Sequence, residues 1–446
     1  MRAKKVRGIV LSILLSTLLL VAVGPAWGLT KLEVLANVET GAFGMPEDAI
    51  ADLQGQIDGG ALSPQDLAAA PLRIEVIQYL ADKMAEAGYT FELQDWGWAE
   101  QLIQKQTAAF LAGTGPDVTL GETQMPGYAF NGYLAPFPED LAAKIREILV
   151  PGAYLPMTVK GEIYGIGPYP GVNVLFWNKE HFRAAGLDPE VGPKTWSEFL
   201  DMANKVTAAG NGEFYGGGTY VGPHFGGSLR VGPFMMMTPG GGFVDENNDI
   251  NFTNPANIRA FEFLRELNEN TPPGIAGAPG EGGWWNAFSQ GQICFVVDGP
   301  WRMANAKLVG IDCGYSPLPI PDANGRAANV TIGAVFFGVP VYSKNKEGAF
   351  KYIMHLVDEY VQERTLPMIK RSVVLKSWGE NPENKTSYYY TIWEALQGQV
   401  VGLPTYNKQD AKVWDIFHQA MTQAIMTTGS IEDIISKAEA KAKALQ

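Results

Sequence analysis

The stretch RIEVIQYLADKMAEAGYTFELQDWGWAEQLIQKQTAAFLAGTGPDVTLGE, Arg73 to Glu122, decides the fold. Its first part sets apolar residues at helical spacing and stops at Gly88, a residue that ends helices readily. YTFELQDW then alternates as a strand does, AEQLIQKQTAAFLAG returns to helical spacing, and PDVTLGE reads as another strand. Upstream, KLEVLAN (Lys31–Asn37) supplies an earlier strand. The order β-α-β-α-β is that of a parallel sheet covered by helices. The polar, glycine-rich residues Met45–Pro71 read as an insertion into the first unit.

A second series begins near Val172. VNVLFWN is a strand, and TWSEFLDMANKVTAAG is a helix opened by Thr195 with Glu198 three residues on, a capping box. FTNPANIRAFEFLRELNEN and WNAFSQG read as helices, ICFVVDG and CGYSPLPI as strands. AVFFGVPV is a late strand and EGAFKYIMHLVDEYVQE one long helix, and WDIFHQAMTQAIMTTG and SIEDIISKAEAKAKAL close the chain. No internal repeat or low-complexity tract appears. The expected architecture is α/β with two lobes, each a mostly parallel sheet flanked by helices.

The chain opens MRAKKVRG, continues IVLSILLSTLLLVAV and then GPAWGLT. A basic start, a short apolar run and small residues at Ala26 and Gly28 form a secretory signal, with cleavage expected after Gly28. The run is shorter than the ~20 residues that a membrane span needs. The mature chain is then exported and too long for one core, so two domains are expected. A net charge of −13 argues against nucleic acid and anionic membrane as partners. Only two cysteines occur, Cys294 and Cys313, each opening a strand-like run. If those strands are neighbours the sulfurs can bridge; otherwise both are buried thiols.

The common catalytic patterns are missing. The four histidines are scattered without metal-ligand spacing, and no cofactor is implied. There is no H-E-x-x-H, no G-x-S-x-G, and no Gly-Lys pair for a phosphate loop. Carboxylates are plentiful, but no local pattern singles out a pair for glycosidic cleavage.

Three segments, in this order, resemble the bacterial family 1 extracellular solute-binding proteins. They are GTGPDVTLGETQMPGYAFNGYLAPF, GEIYGIGPYPGVNVLFWNKEHFRAAGLDPEVGPKTWSEFLDMANKV and AFSQGQICFVVDGPWRMAN. YSPLPIPDANG and GAVFFGVPVYSKNKEGAFKYIMHL also fit. Trp177 replaces the family's usual Tyr and Glu162 its usual Lys. The resemblance implies a two-lobed, monomeric, non-enzymatic periplasmic receptor that hands a carbohydrate to the permease of an ABC transporter. It also implies three crossovers, near Pro170–Val172, Gly333–Gly338 and Ser372–Ser377. Lobe 1 would then hold residues 29–171 with 338–372, and lobe 2 residues 172–337 with 373–446.

A sugar offers hydroxyls to planar polar side chains and C–H faces to flat aromatics. Candidates at strand exits are Asp95, Trp96, Glu122, Gln124, Tyr169, Asn173, Trp301 and Arg371. The resemblance makes Trp301 and Trp414 stacking tryptophans and puts Gln124 where the family carries an acid. Of Trp284 and Trp285, one is expected to pack with Phe288 and the other to reach the cleft. Competing readings are a secreted carbohydrate-active hydrolase or lyase, and a receptor for an anionic or phosphorylated ligand.

Overall fold

The computed structural model describes residues 28–36, 64–97, 99–247, 249–369, 371–402 and 410–445. The expected signal segment, up to residue 27, and residues 45–63 of the expected insertion lie outside the described residues. Along the chain come Thr30–Ala36 (β1), Pro64–Glu86 (α1), Tyr89–Asp95 (β2), Ala99–Ala112 (α2), Thr119–Gly121 (β3), Met125–Phe130 (α3) and Gly165–Tyr169 (β4). Val174–Asn178 (β5), Trp196–Gly210 (α4), Tyr215–Gly218 (β6), Phe225–Met236 (α5), Pro255–Asn268 (α6) and Gly282–Ser289 (α7) follow. Next are Ile293–Asp298 (β7), Arg302–Leu308 (α8), Cys313–Ser316 (β8), Ala328–Val330 (β9) and Val335–Pro340 (β10). The remainder is Lys346–His355 (α9), Glu359–Ile369 (α10), Tyr388–Ala395 (α11), Gln399–Val401 (β11), Asp410–Met426 (α12) and Ile431–Lys443 (α13).

In the first lobe β1 and β2 run parallel, and a parallel bridge between Val34 and Val118 carries the sheet towards β3. β10 then joins antiparallel to both β3 and β4. The second lobe has the strand order β8-β5-β7-β6, with β5 antiparallel to both neighbours and β6 parallel to β7. Each sheet is thus mostly one direction with one reversed strand. The reason is topological. β5 and β10 each follow a crossing from the other lobe, so they enter their sheet at the edge where the other strands leave.

β3, β4, β5, β7, β9 and β10 are buried along their whole length and mostly apolar, as strands covered on both faces require, whereas β1 and β2 alternate with exposed positions. The capping box at Thr195 and Glu198 opens α4 as its sequence predicts. The expected long helix is two, α9 and α10. It breaks at Asp358, whose carboxylate takes the Tyr79 hydroxyl at 3.0 Å and the His355 ring nitrogen at 2.7 Å. Residues 64–71 of the expected insertion belong to α1, which runs through Pro71. A proline removes one backbone bond from the helix, and a helix of 23 residues sustains the loss.

The crossovers lie back to back. The Ile332 N–H donates to the Gly171 carbonyl at 2.9 Å, and a side chain at Gly171 would overlap the facing backbone. Since β10 already belongs to the first sheet, the second crossing falls at residues 331–334, ahead of most of the expected Gly333–Gly338. Leu375 still bridges to Leu149, while the Tyr388 hydroxyl reaches the Pro300 carbonyl at 2.6 Å. The Leu396 carbonyl still takes the Gly152 N–H at 2.9 Å, so the chain after Leu375 touches both lobes as far as residue 396, beyond the expected Ser372–Ser377.

The cysteine bridge is also corrected. Both cysteines are free, and β5 separates their strands. Cys313 pairs with Asn178 on one side, and the Cys294 sulfur lies 3.6 Å from the Asn178 carbonyl on the other. Two strand spacings of ~4.8 Å exceed the ~7 Å that a disulfide spans between Cα atoms.

Candidate functional site

The crossings fix which edge of each lobe faces the other. β5 enters at Val174, opposite Asp298, the last residue of β7. β10 enters at Val335, opposite Tyr169, the last residue of β4. The facing edges therefore carry the strand exits at Asp95, Gly121 and Tyr169 in one lobe and Gly218 and Asp298 in the other. Ligands of open α/β sheets bind beyond such carboxyl ends.

Three expected residues meet there. The Arg371 guanidinium lies 5.8 Å from the centre of the Trp301 ring and donates through Nη1 to the Gly333 carbonyl. Glu122 lies within electrostatic reach of it. Burial raises the Glu122 carboxyl above its ordinary range, and Arg371 partly offsets that rise. Burial in turn lowers the basicity of Arg371, against the pull of Glu122 and Tyr169. The Trp301 ring folds over Gly299 and against Gly333, where a methyl group would lie 2.8 Å from it. Gly333 also has φ +60°, so glycine is required there twice over. This explains why a tryptophan sits among glycine and proline in VVDGPW.

Other expected residues have structural posts. The exposed Asp95 accepts the Gly97 N–H at 2.7 Å, a turn just ahead of α2. Half-buried Trp96 donates to Gln94 at 3.2 Å, and Gln124 accepts the Glu122 N–H at 3.1 Å at the head of α3. Tyr169 is buried within β4. Trp284 packs in the core, whereas half-buried Trp285 lies beneath the Arg302 guanidinium at 4.4 Å.

Two expected placements change more sharply. Asn173 is fully buried and clasps Asn329, which receives its backbone N–H at 2.9 Å. Its side chain donates to the Leu229 carbonyl at 2.9 Å. Pro233 has no N–H to give that carbonyl inside α5, and Asn173 supplies the missing donor. Trp414 is only 2 % exposed, among Phe225, Phe243, Phe417 and His418. Its ring lies in the core of the second lobe rather than at the cleft surface.

The sequence reading missed a buried charge network behind Trp301. Asp298 accepts from Arg230 at 2.7 Å, from Arg302 at 2.8 Å and from the Gly299 N–H at 2.7 Å. Arg230 also pairs with Glu281 at 2.6 Å and donates to the Gly226 carbonyl at 2.9 Å. Together with Tyr388 on Pro300, these bonds hold the turn that presents Trp301. The available signal was one arginine in the apolar run GGSLRVGPFMMM, since a lone buried cation demands a carboxylate.

His418, stacked on Trp414, is held neutral: burial lowers its pKa to about 4, with His224 adding to the effect. Unfolding restores the ordinary value of about 6.5. Between these values the unfolded chain binds the extra proton, so stability falls as pH drops through this window and levels off below about 4. Stability curves of wild type and His418→Asn should diverge by up to ~1.4 kcal/mol per pH unit between about pH 6.5 and 4. Parallel curves in urea melts across that window would refute it.

The comparisons with known proteins bear on the family and the fold. The family model described as bacterial extracellular solute-binding protein matches residues 50–363. A lactose-binding protein of Rhizobium radiobacter is 25% identical over 336 residues, 71% of this chain and 76% of that protein. A probable amino-acid ABC transporter periplasmic-binding protein of Sinorhizobium fredii is 24% identical over 294 residues, 63% of each chain. Among solved structures, the sugar-binding protein MalE of the phytopathogen Xanthomonas citri superposes with a TM-score of 0.72 at 18% identity, covering 93% of this chain and 97% of that one. The last likeness shows the two-lobed fold. Among the described residues no helix is long and apolar enough to cross a membrane. With the family model covering more than half of its length, the chain belongs to the bacterial extracellular solute-binding protein family.

Proposed function

We propose that this chain is an exported receptor that captures a neutral sugar between its lobes and delivers it to an ABC permease. The observation that carries this reading is Trp301, a half-buried aromatic ring at the lobe-2 strand exit beside Arg371, which in turn feels the Glu122 carboxylate. Flat ring and planar polar groups side by side are what a sugar's two kinds of surface need. The lactose-binding relative supports the ligand class. A receptor role is favoured over a hydrolase because the family is one of solute-binding proteins.

An amino-acid receptor is the second reading. It is favoured by the Glu122–Arg371 pair, which could take an ammonium and a carboxylate, and by the Sinorhizobium relative. Arg371 already gives one donor to the Gly333 carbonyl and lies against the Trp301 ring, which makes the aromatic surface the principal recognition element. A thermal-shift screen of mono- and disaccharides alongside the amino acids separates the readings, because a tight ligand raises the melting temperature by mass action. A sugar should give the shift. Trp301→Ala should then weaken that sugar's binding roughly tenfold to a hundredfold while the apo protein stays folded. A shift with amino acids alone would overturn the sugar reading.

A further inference from the structure

The second-lobe edge of the cleft is tied together by a histidine that the reading above leaves unused. His224 stands between the β6 exit and α5. Its Nδ1 accepts the Gly226 N–H at 3.0 Å, which caps the helix, and its Nε2 meets the Tyr220 hydroxyl at 2.7 Å. Tyr220 gives its own proton to the Ala278 carbonyl at 2.6 Å. His224 therefore carries its hydrogen on Nε2 and leaves Nδ1 bare, which is the neutral ring. The residues preferred as caps, Ser, Thr, Asp and Asn, keep their accepting oxygen in mild acid, and a histidine does not.

The chain Gly226–His224–Tyr220–Ala278 joins α5 to the loop 271–281 between α6 and α7. The loop is anchored where the Val221 N–H meets the Ala276 carbonyl at 2.8 Å, and its tip reaches back to α5 through Glu281, paired with Arg230 at 2.6 Å. Side chains at Gly280, Gly282 and Gly283 would meet nothing within 4 Å, so the tip has room to move. The groups around His224 are Tyr220 from the β6 exit, Arg230 from α5, Glu281 from the loop and His418 from α12. Burial pushes Tyr220 up to about 12 and His418 down to about 4, so both stay neutral in mild acid. Arg230 is held by Asp298 as well, at 2.7 Å. That leaves the half-exposed Glu281 carboxylate to answer a charge on His224. It is close at hand: a methyl group on Gly226 would lie 2.6 Å from the His224 ring and 2.8 Å from the Glu281 oxygen.

We propose that His224 is an acid-released latch: a proton on Nδ1 ends its bonds to Gly226 and Tyr220 and turns the ring to the Glu281 carboxylate, which frees the head of α5 and the tip of the loop. A proton on Nδ1 points at the Gly226 N–H, two donors head to head, so the ring cannot stay in place. Turning it away takes Nε2 from Tyr220 too. Glu281 then exchanges Arg230, which keeps Asp298, for the new imidazolium. Burial lowers the pKa of His224 below its ordinary value of about 6.5; Glu281 opposes that and Arg230 adds to it. The latch is therefore complete above about pH 6.5 and is lost as pH falls below it. The β6 exit and α5 stand on the second-lobe side of the cleft, so in acid a ligand meets a wall that must be re-ordered on binding, and its affinity falls.

The test is amide hydrogen exchange of the full mature chain without ligand, at about pH 7.5, 6 and 5, corrected for the intrinsic pH dependence of exchange. In wild type the protection of residues 225–228 and 278–283 should fall roughly tenfold or more towards acid, while α4 keeps its protection. His224→Asn should hold its protection throughout, because an asparagine cap accepts from Gly226 and does not titrate. Glu281→Gln should move the fall to lower pH, since the carboxylate that receives the imidazolium is gone. Unchanging protection in wild type would overturn the latch. So would an equal fall in His224→Asn, which puts the titrating group elsewhere, or an unmoved midpoint in Glu281→Gln. If His224→Asn is unprotected at every pH, the Glu281→Gln midpoint decides. Calorimetric titration with lactose should show roughly tenfold weaker binding in acid for wild type and no such loss for His224→Asn; equal loss in both would overturn the effect on the ligand. The exchange needs no ligand, so a wild type that fails to bind lactose counts against the sugar reading and leaves exchange to decide the latch.

Discussion

Trp414→Ala should destabilise the apo protein by ~3–5 kcal/mol, the cost of truncating a buried tryptophan. The ring is 2 % exposed and touches four aromatic neighbours, with centroid separations of 5.5 Å to Phe225, 5.3 Å to Phe243, 6.0 Å to Phe417 and 5.6 Å to His418. These come from α5, the segment following it and α12 itself, so the indole joins elements that are distant in the chain. The surrounding helices cannot close over a hole of that size without moving Phe225, so most of the cavity cost persists. Differential scanning calorimetry of the apo variant should show the melting temperature down by several degrees. The opposite pattern, an unchanged apo melt with sugar affinity lost, would restore Trp414 to the ligand surface that the family resemblance implies.

Trp414 and Trp301 show how far the sequence carries the site and where it stops. Both tryptophans stand at element boundaries with polar neighbours, and a local reading cannot tell them apart. Their difference is set by residues distant in the chain: Gly333 and Arg371 lie against Trp301, and Phe225 and Phe243 against Trp414. The elements that were legible were those with strong periodicity or caps. α4 begins at its capping box, and β7 is the apolar run ICFVVD. α5 was invisible because FGGSLRVGPFMM holds three glycines and a proline, which read locally as a loop. Tertiary contacts overrule that reading: His224 caps its start and Asn173 serves the carbonyl that Pro233 leaves without a donor. The cysteines failed for another reason. Whether their strands are neighbours is decided by topology and not by spacing, and β5, which enters after the first crossover, lies between them.

Asp298→Ala should cost ~3–5 kcal/mol as well, through charge rather than volume. Asp298 is 1 % exposed and Arg230 is 2 % exposed, so neither can turn to water when its partner is removed. Arg230 would keep Glu281 and the Gly226 carbonyl, and the half-exposed Glu281 is a weaker substitute for a buried carboxylate. Arg302 would lose the bond that holds it over Trp285. Replacing both members, Arg230→Met with Asp298→Leu, should cost less than the sum of the single changes, because the deeply buried Arg230 charge then no longer remains without its carboxylate. Urea unfolding of the two single variants and the double variant measures that coupling. Single variants that each lose under ~1 kcal/mol would show the network to be dispensable. The same change should reach the ligand. Gly299, Pro300 and Trp301 follow Asp298 directly, and its carboxylate holds the Gly299 N–H at 2.7 Å. Without it the turn keeps the long Arg302 N–H bond to the Gly299 carbonyl at 3.2 Å, Tyr388 on Pro300, and Arg371 and Gly333 against the indole. Sugar affinity should therefore fall in Asp298→Ala even at temperatures where the variant is fully folded, because the ring must be ordered at the moment of binding instead of beforehand.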